Sequence, residues 1–349
     1  MLQYEDRNEH FTEEKLDLLL TTPSQALIRD VQHLEGDVLV LGAGGKMGPT
    51  LCLLLQNALG EAGTAHRIKV IAVSRFSDPL AAQLLRDNGI QIISSDLLAP
   101  GALEELPDAP NIIYMAGRKF GTAGQEYLTW AMNAWLPSRV AQRYKDSRIV
   151  VFSSGNIYPK VSVRSGGATE ETPTEPVGEY CMSCQGRERM FEYAAKTFGT
   201  KVALYRLNYA VDLRYGVLYD LSRNILNGEP ISVTTPSFNC IWQGDANEAA
   251  LRLLLHADES VFKLNVTGPE TAGVRETALK LGRLLGKEPV FTGQEQDTAY
   301  LNNAGKMFSL FGYPTVSLDT LIQWQARWIL DGGRTLNKPT HFEERKGSY

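Results

Sequence analysis

Short apolar runs recur along the chain, with stretches of helical apolar spacing between them. Asp37–Leu41 reads Asp-Val-Leu-Val-Leu, as expected of a parallel strand buried on both faces. Further strands are predicted at Ile68–Val73, Ile90–Ile93, Asn111–Met115, Arg148–Phe152, Lys201–Leu207 and Val261–Val266. The spacing predicts helices between them, at about 47–59, 78–87, 124–144 and 183–198. Strand–helix alternation of this kind specifies an α/β fold, a doubly wound parallel sheet of Rossmann type. Ahead of the first strand, residues 11–34 carry two short helical patterns split by Thr21-Thr22-Pro23-Ser24, with Ser24 a candidate N-cap. After residue 207 the regularity fades, and aromatics such as Trp242, Trp324 and Trp328 gather among loops.

The first strand runs straight into Gly42-Ala43-Gly44-Gly45-Lys46-Met47-Gly48 and then a leucine-rich helix. A glycine turn between strand and helix lets a pyrophosphate approach backbone N–H groups at the positive helix end. Gly42, Gly45, Lys46, Met47 and Gly48 are therefore candidate cofactor contacts. The second strand ends in Val73-Ser74-Arg75. NAD sites usually carry an acid there for the ribose hydroxyls, whereas a hydroxyl and a guanidinium suit a 2′-phosphate. Ser74 and Arg75 thus favour NADP, with NAD possible.

Composition narrows the alternatives. Apolar residues make up 43% and charged residues 21% of the 349, ordinary values for a folded soluble chain. A formal charge of −5 gives no general attraction to nucleic acid or to an anionic membrane. No apolar run approaches the ~20 residues that span a bilayer. The polar start of the chain does not resemble a signal or transit peptide. Four cysteines (Cys52, Cys181, Cys184, Cys240) fit reduced thiols better than a disulfide framework, and a cytoplasmic location is expected. The five histidines show no paired ligand spacing, so no metal is expected. Cys181-x-x-Cys184 lies within a predicted helix, where two small side chains packing against the sheet explain it better than a redox motif.

Tyr180-Cys-Met-Ser-Cys-Gln-Gly-Arg-Glu188, together with the glycine turn, resembles the extended short-chain dehydrogenases, the NAD(P)-dependent epimerase/dehydratase family. Tyr180, Ser183 and Glu188 stand in that family's register, but the position of its active-site lysine is Cys184. The resemblance spans most of residues 36–270. It implies a dinucleotide-binding domain at 36–207 with a later strand near 261–266. It also implies a substrate lobe at 208–260 and 267–349, preceded by a helical extension at 1–35 that standard relatives lack. Asp96 and Leu97 look like the family's adenine contact. Met115, Ala116, Gly117 and Lys119 resemble its segment closing the fourth strand, and Asn133 matches a family asparagine in the next helix. Asn208 stands near where relatives meet the carboxamide.

By the same resemblance Ser154 orients the substrate oxygen and Tyr180 is the general acid/base. Three explanations of the missing lysine stand open. Another cation substitutes, with Arg187 two turns beyond Tyr180, or Arg118 or Lys119, as candidates. Tyr180 works differently. Or catalysis is lost and the chain is a dinucleotide-sensing binding protein. Phe238 occupies the place of an arginine that contacts the diphosphate of nucleotide sugars, which favours a free sugar or sugar acid as substrate. Asn156, Lys160, Arg214, Tyr215, Gln243 and Arg275 are candidate substrate contacts. A homodimer is common in the family. The polar and aromatic terminal stretch 338–346 is read as a docking tail, a pocket lid or a solvated end.

Overall fold

The computed structural model describes residues 10–119 and 124–347; residues 1–9 of the extension lie outside it. Seven strands make one wholly parallel sheet: β1 (Val38–Leu41), β2 (Val70–Ser74), β3 (Gln91–Ser94), β4 (Asn111–Tyr114), β5 (Arg148–Ser154), β6 (Lys201–Leu207) and β7 (Phe262–Val266). Their order is β7-β6-β5-β4-β1-β2-β3. Chain progression reverses between β1 and β4, whose ends Leu41 and Tyr114 are in register. A crevice opens at the carboxyl ends of strands at such a switch point, and ligands bind there.

Helices cover both faces: α1 (Glu13–Thr21), α2 (Gln25–Val31), α3 (Gly48–Glu61), α4 (Pro79–Asp87), α5 (Glu126–Trp130), α6 (Leu136–Arg143) and α7 (Gly178–Phe198). A π-helical turn at Ala131–Trp135 joins α5 to α6. β1 is buried throughout because it lies between two strands and under helices on each face. The predicted strands are all present, with ends displaced by up to two residues. Helix α7 begins five residues earlier than its pattern suggests. Its N-cap is Val177, which supplies no side-chain bond, and Gly178 sits at φ +80°, so no capping residue marks the start. Tyr180 therefore belongs to the first turn of α7.

The lobe is more regular than its sequence. It contains α8 (Val217–Asn227), α9 (Gln243–Arg252), α10 (Val274–Leu285), α11 (Gly305–Phe311) and α12 (Leu318–Leu330). Its core gathers Val217, Leu221, Phe238, Trp242, Val274, Leu281 and Trp328. β7 returns to the edge of the sheet from within this region, which interleaves lobe and sheet. Ser24 caps α2 as expected, accepting from Leu27 N. The extension ties the two cores together. Leu16 and Leu20 of α1 pack in the lobe core, while Leu27 and Val31 of α2 pack in the sheet core. No described helix is long and apolar enough to cross a membrane.

Candidate active site

Gly42 follows β1 at φ +93°, and a Cβ there would lie 2.5 Å from Ala116 N. The turn is thus pressed against the chain leaving β4. A Cβ on Gly48 would lie 2.2 Å from the Ala43 carbonyl oxygen, so the start of α3 can close on the turn only with glycine. Gly44, which the spacing passes over, is held more loosely: its Cβ would meet the Ser74 side chain, with Oγ at 2.6 Å, rather than backbone. Gly45 has nothing closer than 3.4 Å and is set by neither contact. Met47 precedes α3 without a side-chain cap, and although Pro49 offers no N–H, the other N–H groups of the first turn receive no bond from a capping side chain. These residues fit a dinucleotide pyrophosphate: a backbone cradle that a Cβ would fill, at a positive helix end, at the switch point. Gly48→Ala is expected to weaken NADH binding at least tenfold, about 1.4 kcal/mol, measured by fluorescence titration.

The other expected cofactor residues are placed unequally. Ser74 packs on the turn at Gly44, and Arg75 is exposed beside it. Leu97 is buried, while the Asp96 carboxylate accepts from Leu98 N. Met115 N donates to Leu41 O at 2.8 Å and Ala116 is buried, which fixes the β4 exit beside the turn. Asn133 requires a correction. It is fully buried; its Oδ1 accepts from Arg118 N and Arg187, and its Nδ2 donates to Arg118 O and Ser183 Oγ. An amide with all four bonds made inside the protein fastens the β4 loop to α7 and has nothing left for a cofactor. Asn208 is also buried, its Nδ2 donating to Asn239 Oδ1 and Tyr300 O.

Arg187 is the second correction. One guanidinium nitrogen donates to Phe152 O at 2.6 Å and another to Asn133 Oδ1 at 2.8 Å, under Gly117, whose Cβ would clash with it at 2.5 Å. Arg187 locks β5 to α7 and does not reach into the cleft in place of a lysine. Its field still draws the Tyr180 phenol downward, but burial and the adjacent Cys184 thiol outweigh it and hold the phenol well above its ordinary range. Burial raises the Cys184 thiol too, so both groups of this pair are protonated at neutral pH.

A different cation stands at Tyr180. Lys119 Nζ, from the β4 exit, lies 5.8 Å from the centre of the Tyr180 ring and donates to Thr340 O at 3.2 Å. Burial brings Lys119 down to about 8. Lys46 sits 3.2 Å over the Tyr215 ring and is brought down to about 6, by burial first and then by repulsion from Lys119 and Lys338. Ser154 ends β5, and its Oγ accepts from Asn156 N at 3.1 Å, closing a short 3-10 turn. Below it, Ser153 Oγ donates to Glu188, and Arg206 meets both Glu188 oxygens at 2.8 and 3.0 Å. Arg206 also donates to Tyr158 OH, which donates to Asn265 Oδ1. This buried network fixes β5, β6 and α7 together, and hence Ser154 relative to Tyr180.

Of the expected substrate contacts, Lys160 is engaged by the end of the chain, its Nζ donating to Arg345 O at 3.0 Å. Arg214 and Gln243 are corrected: both are buried and engaged elsewhere. Arg214 pairs with Asp212, Glu13 and Asp17, and Gln243 donates to Thr50 Oγ1. They anchor the extension and α3 to the lobe. Arg275 is half exposed and paired with Glu295 over the Phe291 ring, and no contact ties it to Ser154 or Tyr180. Sequence reasoning missed Asp220, which no motif marks, and reached Thr340 only as part of the terminal stretch 338–346; both stand beside Lys119.

The parallel sheet with its switch point and the glycine cradle at the end of β1 define a dinucleotide-binding fold class. The chain belongs to the NAD dependent epimerase/dehydratase family, whose profile matches residues 38–266. Comparison with curated protein sequences gave no significant match. Among solved structures, it resembles the UDP-glucuronic acid 4-epimerase from Bacillus cereus in complex with a fluorinated UDP-glucuronic acid and NAD. That match has TM-score 0.69 and 18% identity, covering 84% of this chain and 99% of that one. UDP-glucose 4-epimerase from Thermotoga maritima with UDP-glucose matches with TM-score 0.69 and 17% identity, covering 85% and 99%. dTDP-glucose 4,6-dehydratase from Bacillus anthracis in complex with NAD matches with TM-score 0.69 and 19% identity, covering 84% and 96%.

Proposed function

We propose that the chain is an NAD(P)-dependent enzyme that oxidises, epimerises or dehydrates a carbohydrate-like small molecule, a free sugar or sugar acid rather than a nucleotide sugar. The observation that carries this reading is Lys119, from the β4 exit beside the glycine cradle, standing 5.8 Å from the centre of the Tyr180 ring; the family register adds Ser154. Bound there, the dinucleotide supplies a hydride acceptor and donor. Ser154 orients the substrate hydroxyl; neutral Lys119 takes the phenol's own proton, directly or across one water, as Tyr180 takes the substrate's. Lys119 near 8 is suited to such a relay, whereas an arginine would stay charged throughout.

Phe238 supports the substrate class. It is buried, with its ring centre 6.2 Å from that of Phe342, so the place of a diphosphate-binding arginine is apolar core. Of the similar solved structures, the two epimerases hold UDP-linked sugars, and the Bacillus cereus epimerase and the dehydratase hold NAD. Among cofactors, Ser74 and Arg75 in place of an acid at the end of β2 support a preference for NADP, and comparative NADH and NADPH titrations test it. A homodimer through α7 is part of the same reading. Met182 and Tyr193, three turns apart, are exposed on that helix, as are Tyr127 and Trp135 on the neighbouring one. Sedimentation at micromolar concentration tests it.

The functional test is absorbance near 340 nm with each dinucleotide and pooled sugars and sugar acids, with product analysis by NMR. Reduction, or an isomerised or dehydrated product, supports the proposal. Neither, with dinucleotide binding retained, favours a sensor, the reading that the protonated Tyr180–Cys184 pair supports. The oxidation rate is expected to climb about tenfold per pH unit up to about pH 8 and then level off, because neutral Lys119 accepts the proton. Lys119→Met should remove that limb.

A further inference from the structure

The C-terminal segment folds back from α12 over the same cleft. Leu336 N donates to Arg214 O, and Thr340 donates twice to Asp220 Oδ2, from N at 2.8 Å and from Oγ1 at 2.6 Å. Phe342 is buried against Phe238. Thr235 Oγ1 donates to Glu343 O, and the Arg345 guanidinium donates to Thr298 O and Oγ1 at 2.6 and 2.7 Å. All of these partners belong to the lobe.

On its other side the segment meets the dinucleotide domain. The carbonyls of Thr340 and Arg345 accept from Lys119 and Lys160. The end of the segment reaches the start of α7: a Cβ on Gly178 would lie 2.4 Å from Gly347 O. The segment is therefore a strap clamped between the two halves, with Thr340 fixed to α8 by one face and to Lys119 by the other.

Resting on the functional reading above, we infer that Thr340 is a positioning residue: anchored on Asp220, its carbonyl holds Lys119 over Tyr180, and the strap shields the lysine from water. The catalytic cation lost at position 184 is thus restored by two distant parts of the chain, the β4 exit and the C-terminal strap. Thr340 touches no reacting atom and acts only through Lys119. The charged and titratable groups facing Lys119 are Lys46 from the glycine turn, Tyr180, Cys181 and Cys184 from α7, Asp220 from α8 and Glu343 from the strap. Burial opposes the ammonium and prevails over the neighbouring carboxylates, which favour it.

The test follows the titration of Lys119 by NMR after reductive methylation with 13C-formaldehyde, its signal assigned by loss in Lys119→Met, alongside NADH fluorescence titration. The full chain should show Lys119 titrating near pH 8, and Thr340→Ser should match it. A chain ending at Asn337 should titrate at least one pH unit higher while still binding NADH. Thr340→Ala should shift the same way by less, which keeps the inference testable if the shortened chain fails to fold. An unshifted Lys119 in variants that still bind NADH overturns the strap's role. A full chain that binds no dinucleotide instead overturns the functional reading, and this inference with it.

Discussion

Tyr180→Phe should lower turnover by roughly 10²–10⁴-fold, the usual contribution of a positioned acid/base group, while NADH affinity stays within about twofold. The reasoning starts from protonation. Burial and Cys184 hold the phenol above its ordinary range, so at neutral pH Tyr180 enters the reaction as a phenol and an acid. To act in the oxidative direction it must pass a proton on, and Lys119 stands over its ring. Phenylalanine keeps the ring and its packing but removes the hydroxyl that the proposed exchange requires. A Tyr180→Phe protein with native kcat would sink both the assigned role and the Lys119 relay. Loss of NADH binding in the same variant would instead point to a structural defect.

The second large effect is on stability. Glu188→Gln is expected to cost about 3–5 kcal/mol in urea denaturation, because it leaves the Arg206 guanidinium buried without its counter-charge. Both side chains are almost fully buried, and their bidentate pair is joined by Ser153, Tyr158 and Asn265. The favourable geometry and the filled hydrogen bonds offset the desolvation of two charges, and removal of one partner exposes that cost. Replacing both, with Glu188→Leu and Arg206→Met, should be milder than either single change, since no buried charge then remains. A single Glu188→Gln change that costs under about 1 kcal/mol would show that the network is not what holds β5 to α7.

Much of this arrangement was legible in the sequence, for local reasons. β1 and its glycine turn were readable because a strand buried on both faces must be apolar throughout, and because Gly42 and Gly48 meet steric demands imposed within a few residues or by the adjoining strand. Lys201–Leu207 was found to the residue. What escaped was non-local. Arg214 and Gln243 read as substrate contacts because their partners, Glu13, Asp17 and Thr50, come from the far N-terminal side of the chain. Arg187 read as a spare cation, whereas two acceptors on β5 and the π-helical turn claim it. The start of α7 was invisible because its N-cap side chain makes no bond. The terminal stretch 338–346 was noticed but left open between docking tail, lid and solvated end, because its contacts with Asp220, Thr235 and Thr298 form only once the lobe has folded.

The most direct test of the central claim is a crystal structure of the full chain with NADH or NADPH. The account predicts pyrophosphate oxygens on the backbone amides of residues 42–48. It predicts the reactive carbon of the nicotinamide facing Ser154 and Tyr180, with room for a substrate carbon at about 3–3.5 Å. A dinucleotide seated elsewhere, or a nicotinamide turned away from those two hydroxyls, would contradict it.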